Sequence, residues 1–322
     1  MLDAATVVPA DRVPALLPLS QCIDAVEGAF RDLARGQALQ PLRTVLKLPD
    51  GESSFLVMPG ATRSPSTLGC KLLTLFPGNH DLGIESHQGV IVLFDPDDGS
   101  LAAIVDAAPV TALRTAASSA LATRILARED AGDLALLGSG VQAGAHLEAM
   151  QQVRPIRRVR VWSPNQARRE RFAAARSAEG GQTVEPMESA YEAVDGADLI
   201  CTVTSSPTPV LKGDWIRPGA HINAVGASTP ETREVDTATV RRSRLYVDRR
   251  ESALAEAGDL LIPIGEGAVD RDWIVGEIGE VLEGSSPGRR KPDEITLFKS
   301  LGMAVQDLVA AGVILERLTR GS

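Results

Sequence analysis

Residues 133–150 read DLALLGSGVQAGAHLEAM, and this stretch predicts the fold of the second half of the chain. The apolar run DLALL leads directly into the loop GSGVQA (138–143) and then into a helical sequence. Gly138 permits a tight turn, Gly140 lets the backbone approach a pyrophosphate, and small Ala143 allows helix and strand to pack closely. A phosphate would lie at the helix amino terminus, where free N–H groups favour an anion. The stretch predicts a dinucleotide-binding βαβ unit; the alternative is a glycine turn that serves only packing.

The sequence around this unit alternates between strand and helix patterns. Strands are predicted at 134–137, 159–162, 183–184, 199–203, 221–225 and 245–247, with helical stretches between most of them. This alternation predicts an α/β fold with a Rossmann-type doubly wound parallel sheet, in which the cofactor lies at the carboxyl ends of the strands. The residues that we assign to the cofactor on this basis are Gly138, Ser139, Gly140, Val141, Gln142, Thr202, Val225 and Gly226.

The end of the second predicted strand favours NADP (as NADPH) over NAD. NAD-binding units usually carry an Asp or Glu there that binds the ribose 2′-hydroxyl. This chain instead has Ser163, Asn165 and Arg168, which can donate hydrogen bonds to a 2′-phosphate. The alternative is that Arg168 and its neighbour Arg169 only form a solvated helix face.

Length and composition limit the class of protein. At about 150 residues per domain, 322 residues suggest two domains. A formal charge of −9 argues against nucleic-acid binding, which needs a basic surface. The sequence has no apolar run of about 18 residues, its beginning lacks a basic signal-peptide pattern, and its three cysteines are scattered (Cys22, Cys70, Cys201). We therefore expect a cytoplasmic protein that binds neither membranes nor nucleic acid.

The first half of the chain has a different pattern. Short β-rich runs at 43–48, 54–58, 68–76, 90–94 and 101–105 are separated by PDGES, PGATRSPS, PGNHDLG and DPDDGS, which predicts a mainly antiparallel sheet. Helices are predicted after a Ser20 cap as far as Gly36, over 109–127, and after a Ser300 cap to about 318. The domain break is predicted near 128–132.

Three basic residues in this half lie in distinctive strings. They are Arg43 in PLRTVLKLP, Lys71 in LGCKLLTLFPGN and Arg114 in TALRTAASSALAT. Together with HQGVIVLFDPDDG (87–99), GSGVQAG, HINAVGAS (221–228) and TLFKSLGMAVQDL (296–308), these strings resemble the ornithine cyclodeaminase/mu-crystallin family over nearly the whole chain. The resemblance implies a homodimer with a substrate-binding and dimerisation domain (1–130, completed by the helix 300–322) and a Rossmann domain (131–299).

The resemblance also implies roles for these residues. Arg43 and Arg114 would hold the carboxylate of a small imino or amino acid, since a guanidinium binds carboxylate bidentately. Lys71, in an otherwise apolar strand, should have a lowered pKa that suits proton transfer. The family segment that contains Ser86 approaches the nicotinamide, so Ser86 is assigned to the cofactor. His87 beside it is a weaker candidate for a proton relay.

Position 228 narrows the reaction. Cyclodeaminases of this family carry an Asp there as acid or base, whereas this chain has Ser228, which cannot act as a carboxylate base. The family branch that fits reduces cyclic ketimines (pyrroline-2-carboxylate, piperideine-2-carboxylate) to L-proline or L-pipecolate, with Ser228 and Lys71 handling the proton. Two alternatives stay open: an ornithine cyclodeaminase or alanine dehydrogenase-type enzyme, and a mu-crystallin-like ligand-binding protein.

No metal site is predicted from the sequence. His80, His146 and His221 have no carboxylate or cysteine partner at the spacing that metal ligands need.

Overall fold

The computed structural model describes residues 5–82, 86–180 and 182–320. The chain divides into two compact units, which we call unit 1 (1–117 with 302–322) and unit 2 (118–301). In chain order the strands are β1 (Thr6–Val8), β2 (Thr44–Lys47), β3 (Ser54–Arg63), β4 (Ser66–Leu75), β5 (His87–Phe94), β6 (Leu101–Asp106), β7 (Asp133–Leu137), β8 (Arg158–Trp162), β9 (Val184–Pro186), β10 (Leu199–Thr202), β11 (His221–Ala224), β12 (Ser243–Val247), β13 (Ile274–Glu277) and β14 (Ile295–Lys299). The α-helices are α1 (Val13–Leu16), α2 (Leu19–Ala34), α3 (Ala107–Leu126), α4 (Val141–Val153), α5 (Gln166–Gly180), α6 (Ala190–Val194), α7 (Thr237–Arg242), α8 (Arg250–Glu256), α9 (Gly258–Gly265), α10 (Ile278–Leu282) and α11 (Ala304–Arg320).

Unit 1 is built on a sheet that, in the described residues, has six strands in the order β1-β6-β5-β4-β3-β2. Only the β1–β6 pair among them is parallel, so the expected mainly antiparallel sheet is present. Helix α11 packs against α2 and against strands β3 and β4. Its first turns are buried on all sides, because every residue from 304 to 311 is buried. This places the polar residues of that segment inside unit 1.

Unit 2 contains a parallel sheet whose described strands run in the order β13-β12-β14-β11-β10-β7-β8-β9. The predicted Rossmann-type doubly wound fold is confirmed. The strand order reverses between β7 and β10, and ligands of such folds bind beyond the carboxyl ends of the strands at this switch point. The buried aliphatic side chains of Ile200, Ile222 and Leu297 belong to its core.

The boundary between the units lies inside α3 and not near 128–132 as the sequence suggested. The second half of α3 is held within unit 2 by buried polar contacts. Ser119 Oγ lies 2.9 Å from His146 Nε2, and Asn223 Nδ2 donates to Thr123 Oγ1 at 3.0 Å. Helix α3 is continuous across this boundary. The local sequence pattern therefore does not show where the helix passes from unit 1 to unit 2.

Two predicted helix caps are wrong. Helix α2 begins at Leu19 because the Pro18 carbonyl already accepts the first helical bond from Cys22 N, at 3.0 Å, so Ser20 lies inside the first turn. Ser300 does not cap α11, which begins only at Ala304. The Ser300 N–H donates to the Ala224 carbonyl at 3.0 Å and so continues the sheet.

Several strands differ from the prediction. The string PGATRSPS (59–66) was expected to be a loop, but β3 continues to Arg63 and pairs with Ser66, the first residue of β4. Only residues 64 and 65 remain as a tight turn. Strands β1, β13 and β14 were not predicted at all. None of the helices in the described part of the chain has the length and hydropathy needed to cross a membrane.

Candidate functional site

The turn after β7 has the geometry expected of a phosphate loop. Gly138 has a φ of +125°, a left-handed value that favours glycine. Its N–H donates to the Trp162 carbonyl at 2.8 Å. A Cβ atom at this position would lie only 2.7 Å from the Val203 carbonyl oxygen, so the loop after β10 approaches it closely. A side chain at position 138 would therefore be strained by both conformation and contact.

The amino terminus of α4 fits a pyrophosphate. Gly140 is its N-cap residue and supplies no side-chain cap, and the first turn contains no acidic residue. No atom lies within 4 Å of the point that a Cβ of Gly140 would occupy. Ala143 is buried against the sheet, whereas Val141 is 66% exposed. Backbone N–H groups of this helix start are thus available to an anion. The neighbouring Gln142 Oε1 is buried and has no hydrogen-bond partner within the described ranges.

The residues predicted to read the ribose lie together after β8. The hydroxyls of Ser163 and Ser139 are 2.8 Å apart, which links the end of β8 to the phosphate loop. Asn165 Oδ1 accepts the Arg168 N–H at 3.0 Å and caps the start of α5, so that oxygen is already used. The Arg168 side chain is exposed. A carboxylate is absent from residues 163–169, as the sequence itself shows.

A buried carboxylate, Glu234, ties together the loops after β10 and β11. It accepts hydrogen bonds from the Thr202 hydroxyl at 2.8 Å, from both the N–H and the hydroxyl of Thr204 at 2.6 Å, and from Gly226 N at 2.6 Å. A Cβ at Gly226 would collide with the Thr204 carbonyl oxygen, so these loops are in close contact. The predicted cofactor contact Thr202 therefore directs its hydroxyl at Glu234. Sequence reasoning missed Glu234, which no motif marks.

A second pair of buried charges supports Glu234. Lys299 Nζ lies 2.8 Å from Asp259 Oδ2 and donates to the Ala227 carbonyl at 2.5 Å. Asp259 Oδ1 accepts the backbone N–H groups of Glu234 and Val235 at 2.8 and 3.0 Å. Burial raises the pKa of Glu234, while hydrogen bonds from Thr204 and the charge of Lys299 act in the opposite direction. These groups fix the backbone on which the predicted cofactor residue Gly226 lies. The other predicted residue of this loop, Val225, donates its N–H to the Thr202 carbonyl at 3.0 Å.

Unit 1 brings the three predicted basic residues together, and we call Arg43, Lys71 and Arg114 the cationic cluster. Lys71 Nζ donates to Thr111 Oγ1 at 2.7 Å and to Asp307 Oδ1 at 2.9 Å. Arg114 Nε donates to the same Asp307 oxygen at 3.0 Å. Lys71, Arg114 and Asp307 are buried, at 3, 6 and 0% exposure. Strand β4, helix α3 and helix α11 each supply one of these charges.

Further contacts link the cationic cluster to the start of α11. Arg43 Nη2 donates to the Gly302 carbonyl at 3.0 Å, and Arg114 Nη1 donates to Gln306 Oε1 at 3.1 Å. Arg43 is only half-buried. A Cβ at Gly302 would collide with the Arg114 guanidinium. Residues that are far apart in the sequence, Arg43 on one side and Gly302 and Gln306 on the other, therefore meet at the cluster.

The pKa of Lys71 is lowered from its ordinary value of 10.5 to about 8. Burial is the main cause, with smaller contributions from the charges of Arg114 and Arg43, and the charge and hydrogen bond of Asp307 oppose it. This direction agrees with the expectation for a lysine in an apolar strand. Lys71 is thus mainly an ammonium at neutral pH and loses its proton above about pH 8.

Other predicted residues have separate surroundings. Ser86 is buried in unit 1, with its hydroxyl 3.0 Å from His87 Nδ1, so it belongs to a different unit from the phosphate loop. Ser228 is exposed on the loop after β11 in unit 2. Buried His146 lies near Ser119 and the Gln142 carbonyl, and buried His221 lies 2.9 Å from Thr296 Oγ1. The side chain of His80 lies outside the described residues.

Comparison with known proteins identifies the family. The sequence profile of the ornithine cyclodeaminase/mu-crystallin family matches residues 4–322. The chain belongs to this family. Ketimine reductase mu-crystallin from Mus musculus is 40% identical over 305 residues, which cover 94% of this chain and 93% of the relative.

Two solved structures of family members are similar over the whole chain. Delta(1)-pyrroline-2-carboxylate reductase from Thermococcus litoralis, in complex with NADH and L-proline, has a TM-score of 0.95 and 37% identity and covers 98% of both chains. An archaeal alanine dehydrogenase dimer with bound NAD has a TM-score of 0.93 and 30% identity, covering 99% of this chain and 97% of that one. The predicted class, a pyridine-nucleotide-dependent oxidoreductase acting on carbon–nitrogen bonds, is confirmed.

Proposed function

We propose that this protein reduces cyclic ketimines that carry a 2-carboxylate, such as pyrroline-2-carboxylate and piperideine-2-carboxylate, to L-proline and L-pipecolate. The observation that carries the proposal is the cationic cluster, in which the buried side chains of Lys71 and Arg114 share one oxygen of Asp307. Two guanidinium groups suit a carboxylate, and a lysine beside them suits the adjacent nitrogen. The bound NADH and L-proline of the Thermococcus litoralis relative support this substrate class.

The reaction needs a hydride at the imine carbon and a proton at the nitrogen. When bound, the nicotinamide supplies the hydride. Arg43 and Arg114 hold the substrate carboxylate, with each charge-assisted hydrogen bond contributing about 1.5–3 kcal/mol. Lys71, protonated below about pH 8, donates a hydrogen bond or the proton to the imine nitrogen. Protonation of the imine nitrogen gives an iminium, whose carbon accepts hydride more readily than the carbon of the neutral imine.

Ser228 supports reduction over deamination. Its hydroxyl can donate a hydrogen bond or relay a proton, but it cannot serve as a base at neutral pH. Cyclodeamination requires oxidation, loss of ammonia and a second reduction, whereas ketimine reduction starts from an imine that already exists. The simpler reaction therefore fits a chain with serine at this position.

We further propose that NADPH is preferred to NADH. The end of β8 carries Ser163 and Asn165 with no carboxylate in residues 163–169 to repel a 2′-phosphate. Exposed Arg168 adds a positive charge next to Asn165 on the first turn of α5. The Thermococcus litoralis relative has NADH bound, so the cofactor preference of this chain has to be measured directly.

A homodimer is the third part of the proposal. Strand β2 lies at the edge of the unit 1 sheet, and Val45 and Leu46 on it are 45 and 58% exposed. Leu39, just before it, is 72% exposed. An exposed apolar edge strand needs cover, and a second copy of the chain provides it. The archaeal alanine dehydrogenase relative is a dimer.

The test is oxidation of NADPH and NADH, followed at 340 nm, with chemically prepared pyrroline-2-carboxylate and piperideine-2-carboxylate. We expect turnover with both imines and a higher kcat/KM with NADPH. Absence of turnover with either cofactor on folded protein would contradict the proposal. Ammonia release from L-ornithine without added imine would instead establish a cyclodeaminase.

The Arg43→Ala variant separates an enzyme from a ligand-binding protein. Loss of one charge-assisted contact should raise KM for the imine about ten- to a hundred-fold, from roughly 1.5–3 kcal/mol. Arg63→Ala, at the exposed end of β3, is the matched control and should leave KM unchanged. If Arg43→Ala left imine reduction as it was, carboxylate binding by the cationic cluster would be wrong.

A further inference from the structure

Asp307 is the residue around which the cationic cluster is organised. One of its oxygens, Oδ1, accepts both the Lys71 ammonium at 2.9 Å and the Arg114 Nε–H at 3.0 Å. Lys71 and Asp307 are separated by 236 positions in the chain, so only the fold brings them together. Asp307 itself is completely buried in the first turn of α11.

The second oxygen of Asp307 points to a role beyond stability. Oδ2 is buried and has no hydrogen-bond partner among the residues that the structure describes. An unsatisfied buried carboxylate oxygen costs free energy, and such groups require an explanation. This arrangement therefore favours a functional reason for keeping a charge at this place.

Several groups face Lys71 from the elements around it. Helix α11 contributes Asp307, helix α3 contributes Thr111 and Arg114, and Arg43 acts from the segment before β2. Helix α2 contributes Cys22, whose thiol interacts electrostatically with Arg114 and Asp307. Burial raises the pKa of the Cys22 thiol to about 12, so the thiol stays neutral. The neighbouring strands place apolar Met58 and Ile91 opposite Lys71. Of these described groups, Asp307 is the one that favours the ammonium form of Lys71.

We propose that Asp307 is the positioning residue that holds the Lys71 side chain and aligns it with Arg114 for a substrate that carries a carboxylate next to an imine. This inference rests on the proposed ketimine reduction, which needs a proton donor beside a carboxylate-binding arginine. Asp307 acts through Lys71 and Arg114 and does not itself need to touch the substrate.

The pH profile distinguishes this role from a purely structural one. Replacing Asp307 by Asn removes the charge that favours the ammonium, while burial and both arginines still disfavour it. The pKa of Lys71 should then fall below its value of about 8. Since the proton donor is the charged form, activity is kept at low pH and is lost at a lower pH than in the wild type.

The experiment measures kcat/KM for pyrroline-2-carboxylate reduction between about pH 5.5 and 9.5. We expect the alkaline limb to lie near pH 8 in the wild type and to move down by about one unit or more in Asp307→Asn. Asp307→Glu keeps the charge but displaces it, so its limb should stay within about half a unit of the wild type while kcat falls. An unmoved limb in Asp307→Asn, or a limb moved down in Asp307→Glu, would overturn the inference.

Asp198→Asn is the matched control. Asp198 is also buried and paired with arginines, since it accepts from Arg128 at 2.5 Å and from Arg217, but it lies in unit 2. This variant should lower the unfolding temperature without moving the alkaline limb.

A second readout does not depend on the reaction. The ¹³Cε chemical shift of Lys71 in protein labelled with ¹³C-lysine, followed by NMR against pH, reports the fraction of free amine without needing a reagent to reach this buried side chain. The midpoint should lie lower in Asp307→Asn than in the wild type, and equal midpoints would refute the inference. If the wild type reduces no imine, the proposed function fails while this titration still tests the pairing of Asp307 with Lys71.

Discussion

In the part of the chain that the structure describes, each unit has a buried lysine–aspartate pair, and the two pairs differ in what else they bind. Lys71 and Asp307 are 2.9 Å apart in unit 1, and Lys299 and Asp259 are 2.8 Å apart in unit 2. All four side chains are nearly or completely buried. The distances alone would make the pairs equivalent, so their surroundings decide what each one does.

The pair in unit 2 is connected to backbone groups. Lys299 also donates to the Ala227 carbonyl, and the other oxygen of Asp259 accepts two backbone N–H groups. The pair in unit 1 is connected to side chains, namely Thr111 and a second cation, Arg114. A buried pair tied to backbone holds loops in place, whereas a pair with additional cationic side chains can hold an anionic ligand. The charged neighbours of an ion pair, more than the distance between its two charges, therefore indicate its function.

The largest expected difference comes from removing each lysine. Lys71→Met should lower kcat by about 10²- to 10⁴-fold, the usual contribution of a proton donor, and leave cofactor binding intact. Lys299→Met leaves the Asp259 charge buried and unpaired, so it should cost about 3–5 kcal/mol of unfolding free energy. Steady-state kinetics and urea unfolding of both variants check this.

The opposite result, in which Lys71→Met loses stability and Lys299→Met loses activity, would contradict the roles assigned to the two pairs. A folded Lys299→Met of unchanged stability with greatly reduced kcat would assign chemistry to unit 2. A fully active Lys71→Met would remove the proton donor from the proposed reaction.

A smaller effect is expected at Glu234, which the unit 2 pair supports. In Glu234→Gln the amide can accept at only one atom, so some donors among Thr202, Thr204 and Gly226 lose their partner. The loops should loosen, and Kd for NADPH should rise about tenfold, within the roughly 1–3 kcal/mol of an unsatisfied buried group. Cofactor titration by fluorescence measures this.

Glu277→Gln is the control for that variant. Burial also raises the pKa of Glu277, which accepts the Arg250 N–H at 2.8 Å, so the same kind of substitution is made elsewhere in unit 2. Its Kd for NADPH should equal that of the wild type. Equal effects of both substitutions on Kd would show that Glu234 has no special relation to the cofactor loops.

The smallest expected effect concerns the choice of cofactor. Arg168→Ala should raise KM for NADPH about two- to five-fold, because an exposed charge pair contributes at most about 1 kcal/mol, and should leave KM for NADH unchanged. Arg171→Ala, also exposed on α5, is the control. The difference should shrink at high salt, which screens exposed charges. An equal rise for both cofactors would contradict binding of a 2′-phosphate.

Local patterns predicted the parts of the fold in which neighbouring residues decide the structure. The strand, loop and helix from 133 to 150 were predicted because an apolar run, a glycine turn and a helix follow one another directly. Strand β14 was not predicted. It lies between β11 and β12 in the sheet, and this order is not apparent from the sequence. The strings around Arg43, Lys71 and Arg114 pointed to the basic residues of the site, and the structure brings these residues together.

The buried acidic residues Asp307 and Glu234 were harder to predict from the sequence. Asp307 lies in the last predicted helix, where every residue from 304 to 311 is buried. A charged residue within such a segment was the available signal, because a buried Asp needs a partner. For Glu234 no comparable signal exists. Its donors come from two separate segments, the loops after β10 and β11, and only the folded chain brings them to one carboxylate.

The discontinuity of unit 1 has a consequence for how the protein is made. Residues 302–320, including Asp307, are translated after all of unit 2, whereas Lys71 leaves the ribosome early. Chains emerge at about 5–20 residues per second, and domains generally fold as they emerge. We therefore expect unit 2 to fold first on the ribosome and Asp307, the partner of Lys71, to arrive only with α11. Until α11 has been translated, Lys71 lacks its carboxylate partner Asp307. Catalytic activity should therefore appear only after translation of α11.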